Sequence, residues 1–317
     1  MAIANYIREI GRGKDGARSL SEAQAQDLMS QLLDGQVTDL EIGAFALAMR
    51  IKGESVPELA GFLSAVHERC IPLRVSRPTI VLPSYNGARK LPNLTALLAL
   101  LLAQEGAQVL VHGPMLDAGR ISTAEIFHDL GLPFATGADE IDNAWARREP
   151  VFVTTADLCP ALARLLDVRR VVGLRNSGHT VAKLLQPCSG AATLRVVNYT
   201  HPEYATMLTS FLAHTHADAV LMRGTEGEPV SDPRRAPRLD AFIGGRPRSD
   251  LSRAAVEGVL TELPVLPRNN DAATTALYIQ SVVSGEKPAP GPLTQQVDCL
   301  MQALAAIEQT APQERTA

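Results

Sequence analysis

Apolar positions in the N-terminal part of the chain recur with the spacing of helices that each bury one face. Three helix starts carry a hydroxyl residue followed three positions later by a glutamate, the pattern of a capping box. The capping pairs are Ser19 with Glu22, Thr38 with Glu41, and Ser55 with Glu58. Three short helices cannot bury their apolar faces alone, so we expect them to pack against a second copy, the other domain or a partner subunit.

From Pro78 onward, short apolar runs of β type alternate with helical segments. The predicted strands are 79–82, 108–111, 151–155, 193–199 and 217–222, and the predicted helices are 93–105, 122–130, 271–284 and 293–308. This alternation is typical of an α/β layer with a mostly parallel sheet. The fold class is therefore α/β, with a small all-helical N-terminal domain and a large α/β domain. We expect the last residues, 311–317, to be frayed.

Composition agrees with a two-domain cytoplasmic protein. The chain has 317 residues, of which 46% are hydrophobic, and domains average about 150 residues. The four cysteines, at positions 70, 159, 188 and 299, include no CxxC pair, which indicates lone buried thiols in a reducing compartment. The most apolar segment, 94–103, is too short to cross a bilayer. We therefore predict cytoplasmic localisation and no membrane partner.

The net charge of -4 argues against a nucleic-acid-binding protein, but the charge is uneven. Residues 168–202 contain Arg169, Arg170, Arg175, Lys183 and Arg195 and no acidic residue. Residues 234–253 contain six arginines against Asp240 and Asp250. Local clusters count for more than the total when the partner is a polyanion.

A collinear set of motifs carries a resemblance to a known family. The run 34–54, DG-x-VTD-x-x-x-GAF-x-x-AMR-x-KGE, is similar to the N-terminal helical domain of the nucleoside phosphorylase and phosphoribosyltransferase superfamily. Segments 6–20, 82–102, 173–187, 200–204 and 223–235 resemble its YbiB-like branch, paralogues of anthranilate phosphoribosyltransferase in glycosyltransferase family 3. The resemblance implies a helical dimerisation domain at 1–76 plus about 158–188, an α/β domain at 77–157 and 189–317, and a homodimer through the helical domain.

The enzymes of this family hold the diphosphate of phosphoribosyl diphosphate with a glycine-rich GTGGD loop. The matching stretch here, 83–87, keeps only Gly87 and loses the final aspartate, and Tyr85 would crowd the phosphates. A second motif of the enzymes, KHGN, corresponds to residues 111–114 of this chain, where its lysine is absent. The degenerate diphosphate site then comprises Ser84, Asn86, Gly87, Asn93, Thr95, His112 and Gly113.

The paired Asp-Glu that holds magnesium in the enzymes falls near Glu226 and Glu228, which are weak candidates for a metal site. Arg169 lies where the enzymes carry the arginine beside the anthranilate carboxylate. The losses all act on phosphoribosyl diphosphate binding. We therefore expect no anthranilate phosphoribosyltransferase activity, no catalytic residues and no cofactor, with magnesium needed only if the chain is a transferase with another acceptor.

Two further motifs resemble functional motifs, but the residues around them do not support those functions. Residues 11–16 spell GxGxxG, but no strand precedes them, so a flexible basic loop is favoured over a dinucleotide site. Ser177 and His179 lack a local carboxylate and a GxSxG elbow, which favours a polar helix start that contacts an anion.

The resemblance implies a sequence-nonspecific DNA- or RNA-binding protein that contacts mainly phosphates. Aromatic residues are only 4% of the chain, so base stacking is not expected to dominate. The candidate phosphate-binding residues are Arg89, Lys90, Arg169, Arg170, Arg175, His179, Lys183, Arg234 and Arg235. The alternatives are a phosphoribosyl- or glycosyltransferase with an unknown acceptor and a protein-interaction role for the acidic helical domain.

Overall fold

The computed structural model describes residues 3–310, apart from the side chains of Lys14 and Thr310. The tail 311–317, predicted to be frayed, lies outside the described residues. The chain divides into two compact units. Unit 1 is Met1–Ile71 with Thr155–Pro187, and unit 2 is Pro72–Thr154 with Cys188–Ala317.

Helices and strands follow one another along the chain in the order that their numbers give. The helices are α1 (Ala4–Ile10), α2 (Gly13–Gly16), α3 (Glu22–Leu33), α4 (Asp39–Lys52), α5 (Val56–His67), α6 (Thr95–Gln104), α7 (Thr123–Asp129), α8 (Ala138–Ala146), α9 (Thr155–Leu158), α10 (Pro160–Asp167), α11 (Arg169–Val172), α12 (Ser177–Ala182), α13 (Glu203–His214), α14 (Ala272–Val283) and α15 (Gly291–Thr310). The strands are β1 (Leu73–Val75), β2 (Thr79–Pro83), β3 (Gln108–Gly113), β4 (Phe134–Ala135), β5 (Val151–Thr154), β6 (Cys188–Gly190), β7 (Thr193–Tyr199), β8 (Ala219–Arg223), β9 (Leu239–Ile243) and β10 (Arg246–Pro247).

Unit 1 contains helices alone, and their starts follow the capping chemistry of the sequence. Capping boxes are present at Thr38 and Ser55, as predicted. The prediction at Ser19 is wrong: α3 begins at Glu22, so the N-cap is Ser21 and its reciprocal partner is Gln24. The GxGxxG run is also not a loop, because its last four residues form the single helical turn α2.

The apolar faces of these helices are largely buried within the chain. Phe45 is fully buried and meets Phe62 edge to face, with ring centroids 5.9 Å apart, and Leu63 is 5% exposed. The apolar side chains left exposed on α4 are instead Leu40, Leu47 and Ile51. Any further partner of this unit would therefore meet α4 on that exposed face rather than at Phe45 or Leu63.

Two of the four cysteines are neighbours, which their separation in the sequence did not predict. Ile71 N donates to Leu158 O at 2.9 Å, which brings the residues beside them together. The hydrogen bond from the Cys70 thiol lowers the pKa of Cys159 to about 7, and the same contact raises the pKa of Cys70. All four cysteines are free thiols.

Unit 2 is built on an eight-stranded sheet with the order β10-β9-β8-β7-β2-β3-β5-β4. The pairs β8–β9 and β9–β10 are antiparallel and the others are parallel, so the sheet is mostly parallel, as predicted. Helix α6 is buried along most of its length and contributes Leu97, Leu98 and Leu102 to the main core. No helix within residues 3–310 is long and apolar enough to cross a membrane.

The sheet positions the loop that follows β2. Beyond Pro83 the chain stays beside β3, where Ser84 N donates to His112 O at 2.8 Å. A Cβ on Gly113 would lie 1.9 Å from Ser84 O, so only glycine allows the backbone of this loop to pass so close. Gly113 thus has a structural reason to be present in the predicted site.

Candidate functional site

The loop 84–91 directs its backbone amides at two carboxylates of the same unit. Asn86 N and Gly87 N each donate to Glu228 Oε1 at 2.7 Å. Gly87 has φ +63°, the left-handed region in which consecutive amides can converge on one anion. Glu228 is only 1% exposed. This arrangement is an anion nest filled by the chain's own side chain.

Three hydroxyls complete the contacts of Glu228. Ser84 Oγ donates to Glu228 Oε2, and the hydroxyls of Thr95 and Thr123 lie 3.4 Å from the same oxygen. Ser84 and Thr123 are also joined at 2.8 Å, and Asn93 Nδ2 donates to Thr123 Oγ1 at 2.9 Å. Burial of a carboxylate is tolerable here because amide and hydroxyl donors replace water.

Glu226 fills the outer half of the same loop. Its carboxylate accepts from the amides of Arg89, Lys90 and Leu91 at 3.1, 2.7 and 2.9 Å. Arg120 Nη1 lies 3.9 Å from Glu226 Oε2. Glu226 itself has φ +52°, an uncommon conformation for a residue with a Cβ. The tight turn 225–228 therefore presents both carboxylates to one loop.

The side chain of Tyr85 packs against His112. Tyr85 is buried, its hydroxyl lies 2.9 Å from His112 Nδ1, and the two rings meet edge to face with centroids 5.4 Å apart. His112 is likewise fully buried. The group that accepts from the amides of Asn86 and Gly87 is Glu228, which lies 142 residues from Asn86 in the sequence.

The site does not fit a diphosphate with its magnesium. The amides of the loop already donate to Glu226 and Glu228, so a diphosphate would have to displace two anions. The same two carboxylates were weak candidates for a metal, and their oxygens here accept from amides and hydroxyls instead. Within residues 3–310 the structure has no cluster of three or more His, Cys, Asp or Glu side chains suited to a metal.

A second set of predicted residues lies in unit 1, on α11, α12 and the residues around them. Asn176 caps α12 and His179 completes a capping box, with Asn176 N 3.3 Å from His179 Nδ1. Burial lowers the pKa of His179 to about 3, and the nearby charges of Arg175, Arg169 and Lys183 act in the same direction. His179 is therefore neutral near pH 7 and lies in a region of positive potential.

Other contacts in this cation-rich segment, residues 169–183, are made with carboxylates. Arg170, also a candidate, pairs with Asp167 at 3.1 Å, and both side chains are exposed. Ser177 Oγ donates to Glu54 Oε1 at 2.7 Å, and burial raises the pKa of Glu54. The Ser177 hydroxyl therefore contacts the carboxylate of Glu54, which follows α4, rather than His179.

Three of the six arginines of 234–253 each pair with an aspartate two residues away. Arg234 makes two contacts of 3.0 Å to the Asp232 carboxylate, Arg238 pairs with Asp240 at 2.7 Å, and Arg248 pairs with Asp250 at 2.7 Å. Arg235 is exposed. The prediction of a basic cluster in this segment overlooked Asp232 and the alternate spacing that places each aspartate beside an arginine.

The exposed side chains of Arg89 and Lys90 lie on the outer part of the loop, in unit 2. The structure thus gathers Ser84, Asn86, Gly87, Asn93 and Thr95 around Glu228 and, separately, Arg169, Arg175 and Lys183 around His179. Sequence reasoning missed the role of Glu226 and Glu228 as occupants of the loop. The spacing Glu-Gly-Glu was visible, but it gave no indication of which segment those side chains contact.

Comparison with known proteins agrees with this architecture. Residues 4–70 match the helical bundle domain of the glycosyl transferase family. The anthranilate phosphoribosyltransferase of Thermus thermophilus superposes with a TM-score of 0.69 at 22% identity, covering 96% of this chain and 93% of the other. The fold and the helical domain define an anthranilate phosphoribosyltransferase-like protein of glycosyltransferase family 3.

Two relatives narrow this class. The anthranilate phosphoribosyltransferase of Symbiobacterium thermophilum is 28% identical over 95% of this chain and 86% of its own length. The YbiB protein of Escherichia coli (strain K12) is 38% identical over 304 residues, 95% of this chain and 94% of its own. The chain belongs to the YbiB-like branch of the anthranilate phosphoribosyltransferase-like superfamily.

Proposed function

We propose that this chain uses its scaffold to bind nucleic acid through phosphates and not to transfer a phosphoribosyl group. The observation that carries the proposal is the cation-rich segment 169–183, in which the charges of Arg169, Arg175 and Lys183 act on the buried His179 and add to the lowering of its pKa. Cationic side chains that raise the potential at one place attract a phosphodiester and release its condensed counterions. Such contacts do not read base sequence, so one site would accept DNA or RNA.

The filled loop supports the non-catalytic half of this proposal. A transferase of this class must bind a diphosphate leaving group, and the donors suited to that task contact Glu226 and Glu228. Charge stabilisation at the leaving group is commonly a large contribution to catalysis. With two carboxylates at that position, we expect the loop to repel a diphosphate.

The second candidate is a phosphoribosyl- or glycosyltransferase with a different acceptor. The enzymatic relative that matches along 95% of the chain favours it more directly than it favours nucleic-acid binding. Asn93 and Thr95, which belong to the degenerate diphosphate site, also lie at the start of α6, where Thr95 N donates to Asn93 Oδ1. In this candidate, Glu226 and Glu228 would have to leave the loop before substrate enters.

Nucleic-acid binding is tested by fluorescence anisotropy with labelled mixed-sequence DNA and RNA across a salt series. Changing Arg175 and Lys183 to Ala should weaken all sequences alike, and the slope of log affinity against log salt should fall by about 2. The matched control replaces Arg147 and Arg248, which pair with Glu149 and Asp250, and removes the same charge. An equal loss in the control, or no binding at low salt, contradicts the proposal.

Anthranilate phosphoribosyltransferase activity is tested with the wild-type chain, phosphoribosyl diphosphate, magnesium and anthranilate, followed by release of pyrophosphate. We expect no release above the protein-free blank. Turnover that depends on Asn93 would make the transferase the first candidate, because Asn93 belongs to the loop contacts and not to the cation-rich segment.

We also propose that the partner of unit 1 is a second copy of the chain. Leu40, Leu47 and Ile51 lie on one face of α4 and are 83%, 49% and 54% exposed. Self-association through one patch produces a two-fold dimer. Leu47→Asp should shift the mass in light scattering toward the monomer, whereas Leu277→Asp, at an exposed position on α14, should not. A monomeric wild type contradicts the proposal.

A further inference from the structure

The loop 84–91 of unit 2 has the geometry of an anion-binding site, and side chains of the same chain already occupy it. Five amides of the loop, those of Asn86, Gly87, Arg89, Lys90 and Leu91, donate to two glutamates. Successive amides that converge in this way form a nest, which binds oxyanions such as phosphate as readily as carboxylate.

The loop has the shape of a diphosphate site rather than of a single carboxylate cap. Glu228 takes the inner position with Asn86 N and Gly87 N, and Glu226 takes the outer position with the next amides along the chain. Two anionic groups, held by consecutive parts of one loop, match the two charged groups of a diphosphate. Ser84, Thr95 and Thr123 add hydroxyl donors at the inner position.

The backbone of Glu226 indicates that surrounding contacts hold the turn 225–228 in place, and a buried side-chain amide borders this turn. Glu226 keeps φ +52° although it has a Cβ, a conformation that persists only where surrounding contacts impose it. Next to this turn, the side-chain amide of Asn198 is buried and, within residues 3–310, has no hydrogen-bond partner. A Cβ on Gly224 would lie 3.0 Å from Asn198 Oδ1, so this polar group borders the turn.

We propose that Glu226 and Glu228 are built-in occupants of a diphosphate-type oxyanion site, and that they keep the site closed to external diphosphates. This closure rests on the same filled loop as the non-catalytic part of the proposed function, and it does not involve the cation-rich segment proposed to bind nucleic acid. Removal of the two carboxylates should leave the amides, the hydroxyls and Arg120 available to an external oxyanion. The ligand class is inorganic diphosphate or the diphosphate of a larger molecule.

The test is calorimetric titration of sodium pyrophosphate, without metal, into four proteins. These are the wild type, Glu226→Ala with Glu228→Ala, Glu226→Gln with Glu228→Gln, and a control with Glu257→Ala and Glu262→Ala, whose glutamates are exposed. The control changes the net charge by the same amount as the alanine pair. The glutamine pair preserves side-chain size in case the alanine pair does not fold.

We expect both loop variants to bind pyrophosphate at least about tenfold more tightly than the wild type and the control, because a charged competitor has been removed from the nest. Loop variants that bind no better than the control overturn the proposal, as does a wild type that binds pyrophosphate as tightly as the variants.

A repeat in chains that also carry Arg175→Ala and Lys183→Ala separates this result from the proposed function. If the gain persists there, the site is the loop, whatever the outcome of the nucleic-acid experiment. If the gain disappears with those two residues, pyrophosphate was binding to the cation-rich segment, and the inference about the loop is wrong.

Discussion

Two regions of this chain are suited to anions, and they differ in what already neutralises them. In unit 2, the amides of the loop 84–91 donate to Glu226 and Glu228, which arrive from a distant part of the sequence. In unit 1, Arg169, Arg175 and Lys183 act together on His179, and their combined charge adds to burial in keeping this ring neutral. The comparison teaches that backbone amides at one place and cationic side chains at another are controlled by different residues of one scaffold: a buried carboxylate occupies the first, and local sequence supplies the second.

The difference also concerns stability. Glu228 is buried with its donors, so its contacts hold the loop to the turn 225–228. Arg175 and Lys183 are only partly buried. A residue of the first kind should therefore matter for folding, and residues of the second kind should matter for binding.

The largest expected effect is on the stability of unit 2. Glu228→Ala leaves two buried amides and their neighbouring hydroxyls without an acceptor, so the free energy of unfolding should fall by about 3 kcal/mol. Lys183→Ala and the exposed control Glu257→Ala should each change it by less than about 1 kcal/mol. Urea unfolding followed by circular dichroism measures all three. Equal stability of Glu228→Ala and the wild type would show that the filled loop contributes nothing to folding.

The next effect is a pH dependence that originates in unit 1. The pKa of His179 is lowered from 6.5 to about 3 in the folded chain, so between these values only the unfolded chain takes up the proton. Stability should be fully present above about pH 6.5 and should fall by about 1.4 kcal/mol per unit as the pH drops below it.

His179→Gln is the matched variant, because glutamine at this position can also complete the capping box. The difference in unfolding free energy between wild type and variant should shrink steadily from pH 7 to pH 5. A difference that does not change with pH would mean that His179 titrates normally, and that the three cations do not act on it.

The smallest expected effect follows from removing an aspartate that pairs with an arginine of unit 2. Burial disfavours the charged form of Asp232, but its hydrogen bonds from Arg234 outweigh burial and hold the pKa of this carboxyl below its usual range. Asp232→Asn should remove this neutralisation and strengthen nucleic-acid binding by about twofold at low salt. Asp298→Asn, an exposed position on α15, makes the same change in charge and should have less effect in the anisotropy assay.

Much of the fold could be predicted from local patterns. The capping boxes at Thr38, Ser55 and Ser122 are present because their chemistry lies within four consecutive residues. The five predicted strands are all present in the sheet, since buried parallel strands are continuous apolar runs. The strands β1, β4, β6, β9 and β10 were missed; four of them have two or three residues, which carry no periodic signal, whereas β9 has five residues.

The candidate site was only half predictable. The missing glycines and lysine were visible in the sequence, and so was the run 168–202 without an acidic residue. The expectation that Tyr85 would crowd the phosphates stays a prediction, and the contact of its hydroxyl with His112 was not predicted from the sequence. The neutralisation of Arg234 was present in the sequence as Asp232, two residues away, and was overlooked.

The sequence by itself determined the class of fold, the helix starts and the loss of the enzyme motifs, because each depends on residues that are close together in the chain. Only the tertiary structure decided what occupies the degenerate loop. Glu226 and Glu228 reach it across more than 130 residues, through the parallel alignment of β2 with β7 and of β7 with β8. A buried carboxylate takes its partners from whichever segments the sheet brings to it, and local sequence does not contain that information.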